Sequence, residues 1–449
     1  MTSYLHKSTS AAPLAVFRIA LGMLLFGGVI RFWAKGWIYE LYVEPKHFFP
    51  FYGFEFVKPL GEYTYILFAA CAISAFLVTL GLCYRLAMTG LFLSFTYIEL
   101  IDKSTYLNHY YFISIICLMM IFLPAHTYFS MDAGRNSKLR SDRIPLWSLD
   151  SLKFFVCIVY LYAGLAKVNS DWLFEAQPLR IWLPAKNDVP IIGPLFNKEW
   201  VAYAFSWGGC LYDLTIPFLL MIRRTRIFAY IGVIVFHTLT AVLFPIGMFP
   251  YIMMVTALIF FPANFHQKII ARIATWLNAA KHARVPSREY RHSPFWSKGL
   301  PIAFGIFLLI QMLLPFRYVL YPGELFWTEQ GYRFSWRVML MEKAGYAEFT
   351  VRDADGKHEV VDNRQFLTAL QEKMMATQPD MILQYAHIIR DHFAAEGFRH
   401  PRVYVDSYVT LNGRLGRTLI DPATDLAREE ESFSHKTWIL SFDHEIKGI

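Results

Sequence analysis

"FFVCIVYLYAGLAKVNSDW", Phe154 to Trp172, is the stretch on which the fold turns. From Phe154 to Ala166 no residue is charged, and then Lys167 precedes the polar Asn169, Ser170 and Asp171. Such a run reads as a membrane helix with Lys153 near its other end. The 14 residues from Lys153 to Lys167 span about 21 Å of helix, against a hydrocarbon core of about 30 Å. Lys167 is therefore expected at the rim, just inside the apolar layer, with Trp172 in the interface belt beyond it. Two roles stay open. The stem can lie in lipid while the ammonium reaches water. Alternatively the lysine faces a dry bundle interior, where it is a candidate base.

The whole chain supports a membrane reading. Its 449 residues are 55% hydrophobic and only 17% charged, where a soluble domain carries about 25% charge. Aromatics reach 17%, which suits interface belts and equally suits pockets for flat organic ligands. The net charge of +8 is concentrated in short loops between apolar runs, a topology pattern and not a nucleic-acid surface. Cys71, Cys83, Cys117, Cys157 and Cys210 lie in or beside those runs without CxxC spacing, so neither a disulfide framework nor a metal site is expected. The N-terminal run has no cleavage-site pattern and reads as a retained span.

About nine spans are expected: Pro13–Trp33, Tyr63–Cys83, Ala87–Ile101, Tyr106–Phe122, Leu149–Val168, Trp200–Ile222, Ile227–Phe244, Ile246–Phe261 and Leu300–Leu320. The seventh and eighth are short and joined by "FPIGMFP", whose Pro and Gly suit a broken or re-entrant element. Basic residues fall in three loops: Arg135, Lys138, Arg140 and Arg143; Arg223, Arg224 and Arg226; and Lys268, Arg272, Lys281, Arg284, Arg288, Arg291 and Lys298. With nine spans all three share the side of the N-terminus, which the positive-inside rule makes cytoplasmic. The C-terminus, Ile449, then falls outside.

From Tyr321 the composition becomes that of a soluble domain. "YAEFTVRDADGKHEVVD" reads as two strands about an Asp355–Gly356 turn, and "RVYVDSYVTLNGRLGRTLID" as a hairpin about Asn412–Gly413. Between them lie one or two helices broken near Pro379. The expected architecture is a polytopic α-helical membrane domain, residues 1–320, with an extracytoplasmic α+β, β-rich domain, residues 321–449.

Ionisable residues inside the spans are the candidates for chemistry. His109 opens the fourth span and Lys167 closes the fifth, so the two share one depth on antiparallel helices. Asp213 in "LYDLTIP" and His237 in "VFHTLT" match in depth across the Arg223–Arg226 turn. They are expected to pair, either as a structural lock or as part of the site. Walker, HExxH, GxSxG and GxGxxG signatures are missing from the sequence.

At these residues the sequence resembles the vitamin K-dependent gamma-glutamyl carboxylases. "YLNHYYF", "PAHTYFSMDA", "VYLYAGLAKVNSDW", "LYDLTIPF", "FHTLTAVLFPIGMFPYIM" and "QGYRFSWRVML" fall in that family's order. "LQYAHII", "VYVDSYVTLNGR" and "LIDPATDL" continue it into the outer domain. The resemblance is to a bacterial-type homologue with an HTTM-type membrane domain, since animal members continue beyond the equivalent of Ile449 and have a loop disulfide.

The resemblance implies a lyase that couples O2-dependent epoxidation of a reduced naphthoquinone (vitamin K, here a menaquinol or phylloquinol type) to addition of CO2 to glutamate, giving gamma-carboxyglutamate. It places the catalytic base on Lys167 and a functional histidine on His109. It sets Asn108, Asp213 and His237 toward the quinone cofactor, and Gln384 and Tyr385 toward the glutamate-containing peptide or protein. No metal and no nucleic acid enter this reading. The partners are peptide, quinone and lipid bilayer, and the expected setting is a bacterial inner membrane. Two alternatives remain: a quinol-epoxidising enzyme that does not carboxylate protein, and a non-catalytic membrane scaffold that binds peptides.

Overall fold

The computed structural model describes residues 2–278 and 288–448. Lys281, Arg284 and Ile449, which entered the topology reading, lie outside the described residues. The longer helices are α1 (Ala12–Ala34), α2 (Thr64–Leu80), α3 (Tyr84–Ile101), α4 (Asn108–Phe122), α5 (Leu146–Leu165), α6 (Glu199–Met221), α7 (Arg226–Leu243), α8 (Phe249–Ala257), α9 (Ala263–Trp276), α10 (Pro294–Leu313), α11 (Ala369–Met375) and α12 (Pro379–Ala395).

Each expected span coincides with one of the first ten helices, but the count of nine crossings is not confirmed. Among the described residues six stretches are long and apolar enough to cross a bilayer: Ala12–Ala34, Gly61–Leu80, Leu146–Leu165, Glu199–Met221, Arg226–Leu243 and Trp296–Leu320. A seventh arises if Phe249–Phe260 and Ala263–Trp276, bent by 116°, form one broken span. The other helices fall short for physical reasons. α3 carries Arg85 and Glu99 among several hydroxyl residues, which dilutes its apolarity. α4 has 15 residues, about 22 Å, too short alone for a core of about 30 Å.

The helices pack in sequence: α1 on α2, α2 on α3, α3 on α4, then α5 on α6 and α6 on α7. α8 returns to α1, and α10 lies on α5. "FPIGMFP" breaks the chain between α7 and α8, where Gly247 takes φ +62°, a conformation that suits glycine.

The outer sheet has the order β4–β3–β5–β6, all antiparallel: β3 Lys343–Arg352, β4 His358–Val360, β5 Arg402–Leu411 and β6 Arg417–Thr418. Two short strands near the membrane domain, β1 (Ser8–Ser10) and β2 (Arg143–Pro145), pair separately. Both expected hairpins and the helix break at Pro379 are present. Alternate residues Ala347, Phe349 and Val351 of β3, and Val403, Val405 and Val409 of β5, are buried with Ile382 and Ile389 of α12. The same core takes in Ala166, Trp172, Ala176 and Leu179 from the loop after α5. The end of the Lys167 helix is therefore built into the interface with the outer domain.

Candidate active site

In "AKVNSDW" the residues Asn169, Asp171 and Trp172 each hold the loop that follows Lys167 in place. Asn169 caps the short helix Ser170–Phe174, its Oδ1 accepting from the Trp172 N–H at 2.9 Å. Asp171 accepts a bidentate pair from Arg414 at 2.6 and 2.7 Å, and Asn412 donates to it at 2.8 Å, tying this loop to the β5–β6 turn. Trp172 donates its indole N–H to Ser206 O at 2.7 Å and presents its ring 5.3 Å from Lys167 Nζ. Lys167 itself is 6% exposed. It does not snorkel. Its Nζ donates to Ala163 O at 3.0 Å and to Asp213 Oδ2 at 2.8 Å.

That reach depends on Gly164. A Cβ there would sit 2.8 Å from Leu214 N and the Leu214 side chain, so only glycine lets α5 and α6 approach this closely. The expected Asp213–His237 pair is not formed. Asp213 is turned to Lys167, and His237 Nε2 lies 3.1 Å from the Tyr160 hydroxyl while its Nδ1 is buried without a partner among the described residues.

Lys167, Asp213, His237 and Tyr160 line a cavity of about 90 Å³ whose other walls are Phe205, Phe236, Phe244, Phe249, Trp182 and Met253. His109 and Asn108 belong to a second cavity of about 260 Å³, with Lys103, Glu329, Arg333 and Arg337. The two share Ile246, Phe249, Val338 and Met339 as a common wall. Phe249 stands between the histidines, its ring 6.0 Å from His109 and 5.8 Å from His237. His109 is buried, and its Nε2 has no partner among the described residues. Asn108 donates to Arg337 O at 2.7 Å and accepts from the Tyr106 hydroxyl at 3.0 Å. Lys167 and His109 thus serve adjoining chambers, one apolar and one polar.

The polar chamber holds residues that depth and periodicity did not single out. Lys103 pairs with Asp380 at 2.8 Å and Glu431 at 3.3 Å, and Arg333 reaches Asp380 at 2.6 Å. Burial raises the Asp380 carboxyl, but Arg333 and Lys103 overcome this and hold it well below the usual carboxylate range. These bonds, with Gln371 to Asp102 at 2.8 Å, clamp α11 and α12 onto the segment between α3 and α4. The sequence signal for the cations was the pair Arg333 and Arg337, four residues apart in "QGYRFSWRVML".

Neither Gln384 nor Tyr385 lines either cavity. Gln384 donates to Pro50 O at 3.0 Å and to Glu431. Tyr385 is fully buried edge-on against Phe349, with ring centroids 4.9 Å apart. Its side chain packs in the sheet–helix core, which favours a core role for Tyr385 over the substrate contact that the resemblance implies. Among the described residues no cluster of three or more His, Cys, Asp or Glu is placed to hold a metal ion, and all five cysteines are free.

Comparison with known families matches residues 6–265 to the HTTM domain, more than half of the chain. The chain belongs to the HTTM family. Residues 297–445 match the vitamin K-dependent gamma-carboxylase, lumenal domain. The two matches together make it a member of the gamma-carboxylase family, an integral membrane protein with an extracytoplasmic domain. The second match begins in α10 and so includes the last long apolar helix with the β-sheet domain. No solved structure matches the chain.

Proposed function

We propose that this family member is a gamma-glutamyl carboxylase that couples epoxidation of a reduced naphthoquinone to carboxylation of glutamate, with Lys167 as the base. The observation that carries the reading is a buried lysine–aspartate pair on the wall of an otherwise aromatic cavity. Flat apolar walls with a few convergent polar groups suit a hydroquinone ring and its hydroxyls. Ligand cavities usually measure about 300 Å³ or more. The shared wall of Ile246, Phe249, Val338 and Met339 therefore has to draw back, joining the aromatic cavity to the polar one.

When bound, the reduced quinone would supply, on reaction with O2, the base that removes a glutamate γ-proton before CO2 adds. The chain's own residues do the rest. A neutral Lys167 amine accepts a hydroxyl proton, and the resulting ammonium meets the Asp213 carboxylate at 2.8 Å. Tyr160 orients His237 at the same wall. Lys103, Arg333 and Arg337 line the polar chamber beside Glu329, and a glutamate side chain entering near His109 would take Arg337 as its partner, since Lys103 and Arg333 already hold Asp380. The apolar lining that remains, Phe205, Phe236, Phe244 and Met253, helps keep water from a carbanion. The cosubstrate is read as a menaquinol type in a bacterial inner membrane, with the basic loops cytoplasmic.

The test measures labelled CO2 uptake into a glutamate peptide beside quinone epoxide formation, using the full chain in lipid. Both activities are expected, and both are lost in Lys167→Ala. Epoxide without CO2 uptake would leave a quinol-epoxidising enzyme. Absence of both in a folded, peptide-binding protein would leave a scaffold.

A further inference from the structure

A third cavity, of about 650 Å³, is lined by Arg18, Thr79, Phe129, Arg135 and Ile273. Among the described residues its lining contains two arginines and no carboxylate. Arg18 stands six residues after the start of α1, about 9 Å along the helix. Its guanidinium is fully buried, donating Nη1 to Ala125 O at 2.7 Å and Nη2 to Phe129 O at 2.6 Å. Nε has no partner among the described residues. Asp132 acts on Arg18 at longer range, but its two oxygens already accept from the Cys83 and Tyr84 N–H groups at 2.8 Å. A buried cation with an unused donor calls for an acceptor.

The rim says what kind. Met23, Met131 and Trp276 on the cavity wall are 59%, 43% and 82% exposed, an apolar opening. α9 is amphipathic: His266, Ile270 and Ala274 face inward while Lys268 and Arg272 are exposed, and it ends in the exposed Trp276. That is the form of a helix lying in the membrane interface. Basic pockets between membrane helices at this level suit anionic lipid headgroups.

We propose that this groove binds one anionic phospholipid, with the phosphate held by the exposed Arg135 and drawn toward the buried Arg18 guanidinium, and an acyl chain along Met23, Leu80 and Ile273. Charge complementarity and the apolar, bilayer-facing opening together select a lipid over a soluble anion.

Native mass spectrometry of the delipidated full chain, titrated with phosphatidylglycerol or phosphatidylcholine of equal acyl chains, tests it. Two basic contacts at about 1 kcal/mol each predict a preference of about thirtyfold for phosphatidylglycerol. Arg135→Gln, at an exposed position, should lower that preference about fivefold. Ile273→Trp, which fills the groove, should abolish the one-lipid stoichiometry while helical content is retained. Equal affinity for the two lipids would overturn the proposal. So would a preference that both variants leave intact, or inorganic phosphate alone stabilising the delipidated protein as much as phosphatidylglycerol does.

Discussion

Lys167 and Asp213 lie 46 residues apart and meet at 2.8 Å, each side chain 8% exposed. Neither can be removed alone without stranding the other. Asp213→Asn is therefore expected to destabilise the protein by about 3–5 kcal/mol and to slow epoxidation, because the ammonium formed at Lys167 loses its counter-charge. The paired replacement Lys167→Met with Asp213→Leu should recover much of the stability and none of the activity. A double-mutant cycle by thermal unfolding measures the coupling. Additive losses would mean that the pair does not interact.

Lys167→Arg separates charge from basicity. A guanidinium could keep an ion pair with Asp213 but stays protonated, so it cannot accept a proton. The variant should fold and insert while both epoxide formation and CO2 uptake vanish. An active Lys167→Arg protein would end the base assignment.

Tyr385 is expected to behave as a core residue. Its hydroxyl is buried and unpartnered among the described residues, so Tyr385→Phe should be neutral or slightly stabilising. Tyr385→Ala should cost about 3–5 kcal/mol by leaving a cavity beside Phe349 and Phe366. The KM for peptide in Tyr385→Phe decides the matter: a raised value in a stable variant would restore the residue to the substrate site.

The helix positions and the sheet hairpins were legible in the sequence, because each follows from period or turn chemistry. The sequence did not carry azimuth. Asp213 and His237 do match in depth, yet α6 is rotated so that Asp213 faces Lys167, a contact that exists only because Gly164 admits Leu214. In the same way His109 and Lys167 line neighbouring cavities, and only packing reveals Phe249 and the common wall between them. Nor does apolarity by itself count crossings, because it marks burial in protein as well as in lipid: α3 and α4 are apolar, yet neither meets the length and apolarity of a crossing on its own.

Asp380 makes the seating of the outer domain sensitive to acid. Its carboxyl, raised by burial but lowered further by Arg333 and Lys103, ends below its unfolded value of about 3.9. A depressed carboxylate contributes stability that is complete above the unfolded value and disappears as pH falls through the folded one. The clamp should therefore hold from neutrality down to about pH 5 and weaken below about pH 4. The Asp380 side chain is 20% exposed, so solvent screening keeps its contribution below that of a sealed pair, at about 1–3 kcal/mol. Asp380→Asn should remove that amount at pH 7 and flatten the acid limb between about pH 5 and pH 3, read as unfolding temperature against pH. An acid limb unchanged in the variant would assign the loss to other carboxylates and leave Lys103 held by Glu431 alone.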